Sequence, residues 1–168
     1  LIDQFLRDTP NQRTDAYGGS LENRARLLFE VLTAVTQAIG SERVGLRLSP
    51  LNSYNSMKDS DPLALIGFLA DRLNAFKLAY LHVMRADFFG VQKADVMPVA
   101  REKYKGVLVG NMGYSADEAE AAIAEGKLDA VAFGTAFLAN PDLPARIRAK
   151  APLNAPDSNT FYTGGAKG

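Results

Sequence analysis

Four strand–helix units in succession predict an α/β protein built on a parallel sheet. Short β-rich runs alternate with segments of helical apolar spacing, the connections are short, and no linker or charge block divides the 168 residues. Two architectures satisfy that alternation. A four-stranded doubly wound sheet could stand alone. Four units of a (β/α)8 barrel would be a share of a larger structure, because a full barrel takes about 250 residues. Such a share leaves two parallel edges and an unfinished interior.

The elements follow in order. Apolar residues at 21, 25, 28, 29, 32, 35 and 39 predict a helix over 21–39, with Ser20 as N-cap, Glu22 in the first turn and Gly40 as the stop. Residues 43–49 form a short β-rich run ended by Pro50. Asp61-Pro62 is an N-cap followed by proline at the first helical position, and starts a helix to about Phe76. Residues 79–84 read as the second strand. A weaker helix, interrupted or bounded by Pro98, precedes the third strand at 106–110. Ser115 and Glu118 have the spacing of a capping box and open a helix that ends at Gly126. Residues 129–133 are the fourth strand, and short helices around 136–138 and 144–150 close the folded part.

Composition excludes several function classes. Nineteen basic residues balance nineteen acidic ones, which gives no footprint for nucleic acid or an anionic membrane. There is no cysteine and one histidine, so disulfides and thiolate chemistry are excluded and a His-rich metal site has no ligands. No apolar run approaches the roughly 20 residues of a membrane span. The composition is that of a soluble, cytoplasmic protein. The chain opens on Leu1 and Ile2 without an initiator methionine, and reads as cut from something longer.

In a barrel, chemistry collects at the C-terminal ends of the strands. Gly110 and Asn111 follow the third strand, and Gly134 and Thr135 the fourth. Glycine there permits close backbone approach to a phosphate, or simply makes a turn. Arg47 is a charge inside an apolar strand, which is costly unless it faces a ligand or an ion-pair partner. His82, mid-strand among apolar residues, reads as a core histidine rather than a ligand or general base. Phe88 and Phe89 lie in a loop after a strand, where they line a pocket or pack beneath the loop. Phe161 and Tyr162 precede a glycine-rich tail and suggest that residues 151–168 fold back over a site.

Residues 4–6, 11–27, 43–50, 79–82, 129–134, 139–143 and 161–168 carry a family likeness, the most specific stretch running from Asn11 through Gly18-Gly19-Ser20 to Arg26. In family order over nearly the whole chain, they resemble the Old Yellow Enzyme ene-reductases, nearest the branch containing N-ethylmaleimide reductase and pentaerythritol tetranitrate reductase. The resemblance implies a (β/α)8 TIM barrel holding FMN without a covalent bond, with this chain as the C-terminal half, strands five to eight. It implies reduction of FMN by NADPH or NADH, then of an enal, enone, maleimide or nitroalkene. Arg47 matches the arginine beside the flavin ring, Gly110 and Asn111 the first phosphate loop, Gly134 and Thr135 the second. Phe88 and Tyr162 match aromatic positions of the substrate pocket. Many relatives carry arginine where Thr135 stands, which removes a bidentate phosphate contact. Asn111-Met112-Gly113 departs from an Ala-Gly-Ala-like run.

The resemblance assigns no catalytic residue to this chain: the proton-donating tyrosine and the pair that binds the substrate's activating group would precede Leu1. The implied partner is therefore a complementary N-terminal half-barrel, as a chain or a segment. The readings outside the family are a flavin-free phosphosugar barrel fragment and a non-catalytic FMN- or phosphate-binding module.

Overall fold

The computed structural model describes residues 1–164. Leu1–Val131 and Ala132–Gly168 separate into two compact units, each described by itself. A helix too short to signal by periodicity, Ile2–Leu6 (α1), opens the first unit and buries Leu6. The long helix stands at Leu21–Ile39 (α2), the span its spacing predicts; Ser20 Oγ accepts from the Asn23 amide at 3.3 Å. Gly45–Leu48 (β1) leads to Pro62–Leu73 (α3), where the Asp61 carboxylate accepts from the Ala64 amide at 2.9 Å. Tyr80–Met84 (β2), Val96–Lys103 (α4), Leu108–Asn111 (β3), Ala116–Ala124 (α5) and Ala130–Ala132 (β4) continue the alternation. Pro98 does not interrupt α4. It is the third helical residue, where the missing N–H had no intrahelical acceptor to lose.

The four strands lie side by side in chain order, β1-β2-β3-β4. β1 pairs parallel with β2, setting Arg47 opposite His82, and β2 pairs parallel with β3, setting Met84 opposite Asn111. Side chains alternate between the two faces. Leu46, Leu48, Leu81, Val83 and Leu108 share one core with Leu28 and Leu32 of α2, Leu65, Ile66 and Leu69 of α3, and Val96 and Ala100 of α4. Each such leucine, removed from water, stabilises by roughly 1.5–3 kcal/mol. Arg47, His82 and Asn111 take the opposite parity and are exposed or half-buried. Among the described residues of the first unit, helices therefore cover one face only.

This decides between the two architectures. A doubly wound sheet carries helices on both faces and reverses its strand order at a switch point. Sequential order with one bare face is the geometry of a barrel's wall, whose inner face is closed by further strands.

The Asn11–Arg26 stretch is scaffold. Asn11 is buried, its side-chain amide donating to Phe5 O at 2.6 Å and Tyr17 O at 2.7 Å. A Cβ on Gly18 would sit 2.0 Å from Arg13 O, and Gly19 has φ +82°, so both glycines are obligatory. Arg24 is buried and pairs with buried Asp59 at 2.7 Å while donating to Leu6 O at 2.9 Å. Fully buried Arg7 reaches Asp3, Gln92 and the carbonyls of Ser49 and Asn52. These cations tie the N-terminal segment to the loops after β1 and β2.

In the second unit, Thr135–Ala139 (α6) and Leu143–Ala149 (α7) are short. Fully buried Asn140 fastens the following segment by accepting from the Asn154 amide at 2.8 Å and donating to Asn154 O at 3.3 Å.

Candidate functional site

The bare face of β1–β3 gathers three polar side chains that the sequence had treated separately. Arg47 Nη1 lies 2.7 Å from His82 Nε2 and 3.1 Å from Nδ1. A ring nitrogen accepts a hydrogen bond only when it is unprotonated, so this contact belongs to neutral histidine. Burial pushes the His82 pKa down and the Arg47 charge pushes it further, with Asn111 opposing them. One expectation is corrected: His82 is not a core histidine, because register puts it on the bare face. Of the two readings of Arg47, the ion pair finds no partner among the described residues, where it joins no salt bridge.

Asn111, last residue of β3, has a buried Oδ1 that makes no hydrogen bond of good geometry among the described residues, though it lies near enough to His82 to oppose the fall of its pKa. An orphaned buried acceptor is costly unless something outside the chain satisfies it. Gly110 beside it is also close-packed on its helix side. Its Cβ would stand 2.8 Å from Leu128 Cδ1 and 3.2 Å from the Tyr114 hydroxyl, so a side chain there would require the Leu128 side chain to shift.

The loop from β3 to α5 carries Met112 at φ +84° and Gly113 at φ +73°. A left-handed methionine is a strained position, of the kind that clusters at ligand clamps. Arg85 at the end of β2 holds this loop. Its Nε donates to Met112 O at 2.8 Å, its Nη2 to Gly113 O at 2.9 Å and to Glu118 Oε2 at 3.0 Å, and its guanidinium stacks 3.6 Å from the centre of the Tyr114 ring. The Ser115–Glu118 pair is therefore half a capping box. Ser115 Oγ accepts from the Glu118 amide at 3.1 Å, but the Glu118 carboxylate goes to Arg85, whose bond holds its pKa down.

The loops after β1 and β2 are fused by Asp87. This buried carboxylate accepts from the amides of Ser53 at 2.9 Å, Val91 at 2.8 Å, Gln92 at 3.0 Å and Phe89 at 3.2 Å. Burial alone would raise its pKa; hydrogen bonds from Ser53, Gln92 and Phe89 outweigh that and hold it far below the ordinary carboxylate range. Phe88 is 70% exposed and meets Phe89 edge-on, while Phe89 stacks on Tyr54 at 6.1 Å. The aromatics stand out from the loops rather than beneath them. Sequence reasoning missed Arg85 and Asp87; each is a charge just past the end of a strand, which was the available signal.

In the second unit, Gly134 faces open space and Thr135 begins α6 exposed. Tyr162 is 99% exposed. Residues 165–168 of the tail lie outside the described residues.

Residues 1–154 match the family described as NADH:flavin oxidoreductase / NADH oxidase. The chain belongs to this family. Within it, a probable flavin mononucleotide-dependent alkene reductase of Leishmania infantum is 58% identical over all of this chain and 46% of its own length. The 12-oxophytodienoate reductase 2 of Arabidopsis thaliana is 42% identical over 97% of this chain and 45% of its own. Among solved structures, the old yellow enzyme from Trypanosoma cruzi superposes with a TM-score of 0.95 at 44% identity, over 97% of this chain and 44% of that one. Morphinone reductase gives 0.91 at 44% identity, over 99% and 45%. The chain spans about half the length of the relatives it matches. Family and barrel-wall fold stand. The expected numbering of the strands as five to eight, and with it the C-terminal half, is not supported by these matches.

Proposed function

We propose that the bare face of β1–β3 and the loop after β3 belong to the flavin site of an FMN-dependent alkene reductase that uses NADPH or NADH. The observation that carries this reading is Arg47: a cation on the uncovered face of a barrel wall, without a carboxylate partner among the described residues, close to a neutral histidine. The Asn111 Oδ1 on the same face, without a well-formed hydrogen bond among the described residues, fits a group with hydrogen-bond donors, as an isoalloxazine ring or a ribityl chain has. FMN, when bound, would supply the hydride chemistry that links nicotinamide to alkene.

The chain's own residues would bind and orient. Arg47 would set a positive charge where negative charge develops. His82 would hold the Arg47 guanidinium in place by accepting from it, and Asn111 would contact the bound group directly. Phe88 would offer an aromatic surface to an enone, enal, maleimide or nitroalkene at the strand ends. Both sheet edges and the bare face require further barrel wall, from the same polypeptide or another, before that site could exclude water.

Gly134 and Thr135 stand as a separate proposal for phosphate contact. Tighter FMN binding by Thr135→Arg would support it, and unaltered affinity would remove it. The test of the main reading is anaerobic titration of the purified complete protein. Retained FMN that NADPH or NADH bleaches, and that an activated alkene restores, supports the reading. A protein that takes up no FMN from solution refutes it.

A further inference from the structure

We infer that Arg85 is a positioning residue for the FMN phosphate, acting through the backbone of the β3–α5 loop. The inference rests on the flavin reading above and adds to it a residue outside the bare sheet face.

The argument is one of peptide geometry. A trans peptide is planar, and its C=O and N–H point in opposite directions; none of the peptide bonds described is cis. Arg85 draws Met112 O to its Nε and Gly113 O to its Nη2. The N–H groups sharing those two peptides, of Gly113 and Tyr114, are therefore turned away from Arg85. Neither donates to an acceptor among the described residues. Two successive amides left without an acceptor on the side away from Arg85 are donors free for an anion.

The rest of the Arg85 environment keeps the guanidinium on this task. Glu118 takes the guanidinium's other edge, and Arg85 thereby neutralises a carboxylate that would otherwise stand in the first turn of α5 beside the anion. The Tyr114 ring lies 3.6 Å from the guanidinium carbon and fixes its plane. Met112 holds its left-handed conformation with its carbonyl committed to this clamp. Arg85 has no free donor edge to offer the phosphate itself, so its effect passes through the loop.

The test compares FMN with riboflavin, which has the same ring and ribityl chain but no phosphate. Apoprotein of the complete enzyme is titrated with each, as wild type, Arg85→Ala and Arg85→Lys. Wild type should prefer FMN. Arg85→Ala should lose about tenfold or more in FMN affinity, the effect of misdirecting donors to a charged group, with riboflavin affinity unchanged. Arg85→Lys, which keeps the charge but not the fork, should fall between. A general loss of structure would weaken both ligands together, and would count against the inference, as would an FMN preference that survives in Arg85→Lys and Arg85→Ala alike. If Arg85→Ala does not fold, Arg85→Lys alone decides. If wild type binds FMN and riboflavin equally, the phosphate is not held and this inference falls while the flavin reading stands; if it binds neither, the flavin reading falls first.

Discussion

Arg47 Nη1 lies 2.7 Å from His82 Nε2 across the parallel pairing of β1 and β2, on the side of the sheet that no helix covers. The contact makes the histidine's charge state a structural matter. Protonating His82 removes the acceptor and sets two cations side by side.

A pH dependence follows. The His82 pKa is lowered by burial and by Arg47. A lowered histidine pKa means that the unfolded chain takes up the proton before the folded one does. Stability is therefore unaffected by this group well above about pH 6.5, and falls as pH drops through that ordinary value. Urea midpoints measured from pH 8 to pH 5 should fall more steeply for wild type than for His82→Gln. Parallel curves would show that the histidine titrates normally.

Arg47→Ala should leave the fold intact, since the guanidinium packs in no core. In the flavin-loaded protein it should slow reduction by nicotinamide on the order of 10²-fold, the usual cost of deleting one electrostatic stabiliser. Stopped-flow absorbance reads the rate, and unchanged kinetics would remove Arg47 from the site.

Asp59→Ala should cost about 3–5 kcal/mol, because it strands the Arg24 charge inside the protein. Gly18→Ala should be comparably severe, given the 2.0 Å approach to Arg13 O. Chemical denaturation of both variants, with fully native stability in either, would show that the stretch serves the ligand rather than the fold.

Asp87→Asn replaces two acceptor oxygens by one and points an amide at donors. Destabilisation of about 1–3 kcal/mol is expected, together with faster hydrogen exchange at Ser53 and Val91. Its depressed pKa contributes stability above about pH 3.9, lost as pH falls below that. The difference between wild type and variant should thus shrink in acid, and a constant difference from pH 6 to pH 2 would count against it.

The sequence by itself determined the alternation of elements and the family. The bounds of α2 follow from its apolar spacing and from Ser20 and Gly40, because capping and periodicity are local. Two glycines in Asn11–Arg26 were legible as a turn, since their need is written in the backbone of their own neighbours. Tertiary structure alone decided what these features do. Helices on a single face rejected the doubly wound sheet, and which face stays bare depends on how α2, α3 and α4 pack together. The close neighbour of Gly110 is Leu128, eighteen positions away in a later segment. The partner of Arg47 was set by strand register, and the clamp of Arg85 on residues 112, 113 and 118 joins two loops that adjoin only after the sheet forms. A residue type announces that a charge or a missing side chain needs a reason; the reason is a neighbour, and neighbours distant in sequence exist only in the fold.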